Sequence, residues 1–442
     1  MSKQNVPLIA SYFVRARWRW HYLRGERLQQ YQERMVRRSV EYAQRYSPFY
    51  RQHWSQHDVR DWQHLPTVDK ALMMEHFATF NTLGIRREEA MEVALRAERS
   101  RDFYPVVRNA TVGLSSGTSG HRGLFLVSQQ EQAGWAGTIL ARTLTHLRRM
   151  RVAFFLRSNS NLYEQIGGSL LQFHYFDLMH PLDESIVSLN MFRPDIIVGP
   201  PSLLGFLADA RENGTLHIRP ERLISVAEVL EPHDKERLQQ VFAVPVQQIY
   251  QCTEGLLAIS CAHGSLHIQE DLVLLQFVPL DKQDGEQGGR VTPIVTDLWR
   301  RTQPIIRYRL NDVLRLATHR CSCGSSFRVI EEIEGRCDDI CYFRAEDGGE
   351  RPFFPDTIRR MVLLADPRIT DYQVVQEQAG QLHIYVALEP GVLFAEIVGA
   401  IRQSVERIIA QYACLPVVIE VSEGIRALEP GVKRRRVQRV CV

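Results

Sequence analysis

"RLISVAEVLEPHDKERLQQVFAVPVQQIYQCTEG", residues 222–255, holds two short apolar runs separated by a longer amphipathic one. "RLISVAE" and "VQQIYQ" are brief, rich in Val and Ile, and bounded by polar residues or proline, as strands are. "PHDKERLQQVF" between them spaces its apolar residues as a helix does. Upstream, "RVAFFLR" (151–157) and "DIIVGP" (195–200) repeat the strand pattern, and "PSLLGFLADAREN" (201–213) repeats the helical one. Short apolar strands joined through helices predict buried parallel strands and an α/β fold.

The flanks differ. Residues 1–105 read as mostly helical. In "RLQQYQERMVRRSVEYAQRY" (27–46), Leu28, Tyr31, Met35 and Tyr42 form one stripe with Val36 and Val40 beside it, ending at Pro48. The basic and aromatic "RARWRWHYLRGER" (15–27) suits a membrane or RNA surface. We expect instead an amphipathic helix with its Trp and Tyr side chains packed inward. "LHIQEDLVLLQFVPLD" (266–281) alternates in part, which predicts an antiparallel strand pair. After "GRCDD" (335–339), "DYQVVQEQ", "LHIYVALEP" and "PVVIEVSE" read as strands and "FAEIVGAIRQSVERIIAQY" as a long helix. The expected division is a large domain over 1–337 and a small α+β domain over 338–442.

Bulk properties exclude several classes. The 442 residues are 45% hydrophobic and 24% charged, with a net charge of only +3. That describes a folded globular chain and gives no argument for nucleic acid. No run reaches the ~18 apolar residues of a membrane span, and the N-terminus lacks the pattern of a signal peptide. A cytoplasmic protein is the expectation. The eight cysteines show no disulfide framework, in agreement.

Five stretches carry candidate chemistry. "LSSGTSGHRG" (114–123) concentrates glycine and hydroxyl residues, as a surface loop or a phosphate cradle does. In "QIYQCTEGLLA" (248–258), Thr253 and Glu254 follow a strand ending in Tyr250. Ligands of open α/β sheets bind beyond such carboxyl ends, and a hydroxyl beside a carboxylate suits Mg²⁺. An ordinary surface Glu explains the same residues. "QPIIRYRLNDVLRL" (303–316) presents Asp312, either a ribose ligand or a turn residue. "EEIEGRCDDI" (331–340) sets Arg336 beside Asp338 and Asp339, and "LEPGVKRRRV" (428–437) places Lys433 after a Pro-Gly turn. A solvated basic tail is the simple reading of that last stretch.

In this order and spacing the five resemble the adenylate-forming superfamily of acyl-CoA synthetases, nearest its phenylacetate–CoA ligase family and CapK-like relatives. The resemblance covers essentially the whole chain, with counterparts also for "LPTVDKALMMEHFATFNT", "SVAEVLEPHDKERL", "LHIQED" and "CSCG". It implies a large adenylate-forming domain and a small mobile C-terminal lid. It also implies ATP-dependent conversion of a carboxylate to an acyl-adenylate, then transfer to a thiol. Ser115, Ser116, Gly117, Thr118, Ser119 and Gly120 would wrap the ATP phosphates. Ala227, Glu228 and Tyr250 would border the adenine, Thr253 would contact phosphate, and Glu254 would hold Mg²⁺. Asp312 would bind the ribose with Arg336 assisting, Asp338 would be the hinge, and Lys433 would bridge carboxylate and α-phosphate.

His121 stands where many relatives carry Lys, Gln251 replaces a Gly, and "RLND" replaces "RTGD". The acceptor implied is CoA or a phosphopantetheinyl carrier protein. Alternatives are a non-thiol acceptor or a nucleotide-binding homologue without ligase activity. A dimer is compatible with this reading. Trp135, Phe173, Tyr175 and Phe176 are candidates for the acyl pocket or for core.

Four further residues suit a closed, structural Zn²⁺ site: Cys261, His267, Cys321 and Cys323, with His263 and His319 as alternative ligands. Cys321-x-Cys323 sits in a tight turn, and thiolate with imidazole in a set of four favours tetrahedral zinc. Members of the resembled branch carry a comparable cluster.

Overall fold

The computed structural model describes residues 5–100, 105–114, 123–144, 148–156, 171–178, 181–280, 289–426 and 434–440. It divides into two compact units, Met1–Leu310 with Leu314–Ile333, and Asn311–Val313 with Glu334–Val442.

The first unit begins with helices α1 (Asn5–Tyr22), α2 (Glu26–Tyr46), α3 (Pro48–His53), α4 (Lys70–Glu75), α5 (Phe77–Phe80) and α6 (Arg87–Ser100). Helix α2 buries Leu28, Met35, Val36 and Val40 of the expected stripe, whereas Tyr31 and Tyr42 are only partly buried. Pro48 does more than end it. The Ser47 side chain accepts a hydrogen bond from Tyr50 N, and Pro48 opens α3 at a position where its missing N–H costs nothing.

A small sheet of β1 (Val106–Val107), β2 (Ala110–Leu114) and β3 (Leu124–Ser128) follows. Strands β2 and β3 are antiparallel, with Leu114 opposite Leu124, so they bracket the Gly/Ser/Thr stretch. Helix α7 (Gln129–Thr143) starts at a capping box formed by Ser128 and Glu131. Helix α1 lies along α7. A Cβ on Gly137 would stand 2.6 Å from Tyr12 Cβ and 2.7 Å from the Ile9 carbonyl oxygen, so glycine is required for this approach.

The main sheet has twelve strands. One half contains β4 (Met150–Leu156), β5 (Leu171–Asp177), β6 (Ile196–Gly199), β7 (Arg222–Val226) and β8 (Val246–Cys252), ordered β5-β4-β6-β7-β8 and parallel throughout. Helices α8 (Leu182–Phe192), α9 (Pro201–Glu212) and α10 (Pro232–Phe242) make the crossovers. The α/β expectation holds in this half.

Beyond β8 the order continues through β9 (Gly255–Ser260), β10 (Leu266–Ile268), β15 (Val329–Arg336), β14 (Asp312–Leu316), β12 (Arg290–Asp297) and β11 (Val273–Pro279), with β13 (Tyr308–Arg309) on β12. Residues 266–281 are antiparallel as expected but are not partners of each other. Strand β10 pairs with β9 and β15, and β11 with β12. The connection between them holds buried Glu270 and Asp271, which bind Arg328 and the pair Arg19 and Arg142. It therefore crosses the fold where a hairpin would turn.

The four aromatic pocket candidates do not share one face. Phe176 stacks on Phe155 at 4.6 Å in the core beneath the crossover helices, whereas Phe173 and Tyr175 pack against the opposite core. Alternation along β5 forces this split.

The second unit has a hairpin, β16 (Cys341–Arg344) with β17 (Glu350–Phe353), and a four-stranded sheet. That sheet runs β20 (Val418–Glu423), β19 (Gln381–Leu388), β18 (Ile369–Gln378), β21 (Val437–Arg439). Helices α11 (Pro355–Leu363) and α12 (Phe394–Gln411) complete it, around a core including Ile358, Val374, Ile384, Ile397 and Val405. Among the described residues no helix is long and apolar enough to cross a membrane.

Candidate active site and candidate metal centre

Strands β7 and β8 are parallel neighbours with Val226 opposite Ile249. The register places Ala227 and Glu228 next to Tyr250 at the carboxyl ends. Ala227 takes φ +70°, a left-handed turn uncommon for alanine, which bends the chain immediately after the strand. The Glu228 carboxylate accepts from Ser202 N, at the start of α9, at 3.4 Å. One turn beyond Tyr250, the Thr253 hydroxyl donates to Glu254 Oε2 at 2.8 Å, and Glu254 is buried.

Arg300, not foreseen from sequence, holds this turn from below. Its guanidinium donates to the Thr253 carbonyl at 2.5 Å and to the Leu126 carbonyl on β3 at 2.9 Å. Leu126 N in turn donates to Gln303 Oε1 at 2.9 Å. Strand β3, which follows the Gly/Ser/Thr stretch in sequence, is thus tied to the Thr-Glu turn through one buried cation. Asp297 lies under the same turn, 3.2 Å from where a Cβ on Gly255 would stand. Burial pushes its carboxyl up to about 6, against the pull of Arg300 and of the Trp299 and Arg300 amides. Burial, and then the Glu254 charge, likewise raise the Tyr308 phenol. The sequence signal for this layer was a set of charged and amide side chains inside the apolar run "TDLWRRTQPIIRYRL".

In the second unit, Asp312 opens β14 with Arg336 Nε 3.7 Å from its carboxylate. Asn311 donates to Asp338 at 2.6 Å, and Cys337 N donates to the Asn311 carbonyl at 2.8 Å. Buried Asp339 accepts from Arg336 N and pairs with Arg435. Arg434 and Arg436 both end on Asp371. The solvated-tail reading fails for these three arginines, because strand β21 docks parallel to β18 and brings each to an aspartate. Ser115, Ser116, Gly117, Thr118, Ser119, Gly120, His121 and Lys433 lie outside the described residues.

The sheet also brings together Cys261, His267, Cys321 and Cys323, whose ligand atoms all lie within 4.8 Å of one another. Cys261 begins the turn between β9 and β10, and Gly264 in that turn takes φ +82°. Cys321 and Cys323 lie in the connection between β14 and β15, which pairs with β10. Cys261 Sγ is 3.7 Å from Cys321 Sγ, and Cys323 Sγ is 3.4 Å from His267 Nε2. Bonds of ~2.3 Å to a tetrahedral zinc put two sulfurs about 3.8 Å apart, so the set fits that ion. The other ring nitrogen of His267 faces the Phe327 carbonyl at 2.9 Å, which fixes the ring, and Trp20 packs edge-on at 5.1 Å. Burial opposes the Cys321 thiolate, but hydrogen bonds from Ser265, Cys323 N and His267 outweigh it and hold the thiol at about 6. His263 is outside the cluster and faces Ser322 at 3.1 Å. His319 is also outside it.

No family model matches the chain. Phenylacetate-coenzyme A ligase of Thermus thermophilus is 24% identical over 439 residues, covering 93% of this chain and 89% of that protein. Among solved structures, 2-hydroxyisobutyryl-CoA ligase in its postadenylation state with R3-HIB-AMP aligns at TM-score 0.71 and 17% identity. That alignment covers 95% of this chain and 91% of the ligase. GH3.15 acyl acid amido synthetase aligns at TM-score 0.59 and 12% identity, covering 90% and 86%. The shared fold and the end-to-end sequence match agree with the five motifs. Over nearly its whole length the chain is thus similar in sequence to a phenylacetate-coenzyme A ligase, and it shares the fold of 2-hydroxyisobutyryl-CoA ligase.

Proposed function

We propose that the protein activates a small aryl or acyl carboxylate with ATP and passes the product to a thiol, in a cytoplasmic setting. First a carboxylate oxygen attacks the α-phosphorus, the bond to the pyrophosphate oxygen breaks, and an acyl-adenylate and pyrophosphate form. Then a thiol sulfur attacks the acyl carbon, AMP leaves with the bonding pair, and a thioester results. One observation carries this reading: Ala227–Glu228, Tyr250 and Thr253–Glu254 meet at adjoining carboxyl ends, and Arg300 ties strand β3 to the same turn.

In this reading Ser115 to Gly120 cradle the β- and γ-phosphates, and Tyr250 packs on the adenine bordered by Ala227 and Glu228. Thr253 orients phosphate. Glu254, with the Thr253 hydroxyl beside it, offers the oxygen donors that Mg²⁺ prefers. Mg²⁺, when bound, offsets the phosphate charge. Asp312 takes the ribose hydroxyls with Arg336 behind it, and Asp338 is the hinge of the small domain. Lys433 stabilises the negative charge that gathers at the α-phosphate in the transition state. Cys261, His267, Cys321 and Cys323 would hold a structural zinc that ties two connections together. The acceptor is CoA or a phosphopantetheinyl carrier, which present the same thiol.

The fold shared with an acyl acid amido synthetase favours one second reading, in which an amine takes the acyl group. Incubation with ATP, Mg²⁺, a carboxylate panel and CoA tests the main proposal by mass spectrometry. A thioester formed with stoichiometric AMP supports it. AMP with amide only supports the second reading, and no AMP from folded protein with any acid overturns both.

A further inference from the structure

Helix α1 has two apolar sides. Its inner face, with Ile9, Tyr12 and Ala16, is buried against α7. Its outer arc carries Val6, Pro7, Ala10, Val14, Trp18 and Tyr22, all exposed, with Val14 at 64% and Trp18 at 55%. At 100° per residue these six fall on one side of the helix. The inward packing expected for the aromatic residues of 15–27 therefore holds in part for Trp20 but not for Trp18 and Tyr22. A helix with one apolar side in the core usually gives water a polar side. This one gives water an apolar ridge.

The ridge is bordered by mostly basic residues, with the carboxylate of Glu26 exposed between Arg24 and Arg27. Helix α1 has no acidic residue, and Arg15, His21, Arg24 and Arg27 are exposed along or just beyond the arc. No acidic side chain among the described residues forms an ion pair with Arg15, Arg24 or Arg27. Residues 15–45 hold nine arginines and three glutamates, although the whole chain carries only +3. The remainder is thus net negative; residues 15–27, which include the outer end of the ridge, hold five of those arginines and one glutamate, with Arg19 buried against Asp271. Trp18 stacks on Tyr22 at 4.1 Å, and the Arg27 guanidinium covers the same Tyr22 ring at 4.7 Å.

We propose that this surface docks on an anionic lipid bilayer, with Val14 and Trp18 in the interface and the arginines on the headgroups. Charge complementarity selects that occupant. A second copy of the chain on a two-fold axis would set arginine against arginine. Single-stranded nucleic acid needs free aromatic faces, yet Trp18 and Tyr22 already stack on each other, and the ridge continues into aliphatic residues that offer nothing to a base. Aliphatic and Trp side chains flanked by arginine are what an interfacial helix presents to lipid. No span is required: the helix lies flat while its inner face remains docked on α7.

The test is co-sedimentation of the full chain with vesicles of phosphatidylcholine alone or mixed equally with phosphatidylglycerol. Binding is expected to the mixed vesicles only, and to weaken as salt rises. Arg15→Glu/Arg24→Glu/Arg27→Glu should weaken it roughly a hundredfold, at about tenfold or less per arginine. Trp18→Ala should weaken it about tenfold. Both variants are at exposed positions, and circular dichroism at the wild-type level shows that they are folded. No binding of folded wild type to the mixed vesicles overturns the proposal, as does binding that both variants retain. Concentration-dependent dimers lost in Trp18→Ala, without vesicle binding, would assign the ridge to a second copy. Salt-sensitive binding of an oligonucleotide without vesicle binding would assign it to nucleic acid.

Discussion

Arg434, Arg435 and Arg436 each end on an aspartate, whereas Arg15, Arg24 and Arg27 are exposed and pair with no carboxylate among the described residues, beside an exposed Trp–Tyr pair. Both groups come from arginine-rich stretches of similar composition. The first is held by strand β21 and serves the chain itself: it fixes the segment that follows Lys433. The second is left over after α1 has docked, and its charge is available only to a partner. Arg300 is the extreme of the first kind, a buried cation whose bonds go to backbone carbonyls on two separate elements. An arginine's role follows from what the neighbouring backbone delivers to it.

The largest expected effect concerns the inner side of α1. Trp20 on that side packs edge-on against His267, so the Cys/His cluster supports the helix whose outer arc is exposed. Chelation should lower the melting temperature sharply, since structural zinc contributes ~10 kcal/mol or more in small domains. Elemental analysis should find zinc, and a metal-free protein with an unchanged melt would remove the site. Next, Asp339→Ala leaves Arg435 without its buried partner. It should cost about 3 kcal/mol of stability, read by denaturant unfolding. A cost below about 1 kcal/mol would place Arg435 with the solvated arginines.

A smaller, pH-dependent effect is expected at Asp297. Its folded pKa of about 6 lies above the usual ~3.9, so ionisation costs stability as pH rises from about 4 through about 6. Asp297→Asn keeps the oxygen that accepts the Trp299 and Arg300 amides, and should remove that loss. Parallel melting profiles for the variant and wild type across this range would contradict the assignment. The smallest effect is expected from Arg15→Glu/Arg24→Glu/Arg27→Glu, whose unfolding free energy should stay within about 0.5 kcal/mol per site of wild type. A larger loss would mean that these arginines also serve the fold.

Much of the fold was readable because the strands at 151–157, 195–200 and 222–228 are short apolar runs bounded by polar residues or Pro/Gly, a local property of buried parallel strands. The partners of β10 and β11 were not readable, since their choice rests on buried Glu270 and Asp271 meeting arginines from distant segments. In the site, Ala227–Glu228 and Tyr250–Glu254 could be placed because they follow strands directly. Arg300 and Asp297 could not, because buried polar side chains bonded to backbone leave no periodic trace. The exposure of Trp18 and Tyr22 escaped for a similar reason. A helix that is apolar on both sides gives no moment to say which side faces in.

Exchange of labelled pyrophosphate into ATP, driven by a carboxylate, examines adenylation most directly. Wild-type protein should catalyse exchange with at least one acid of a broad aryl and aliphatic panel. Lys433→Ala should lose it by at least ~10²-fold while still binding ATP. No exchange from folded wild type with any acid, or wild-type exchange in Lys433→Ala, would contradict the proposed chemistry.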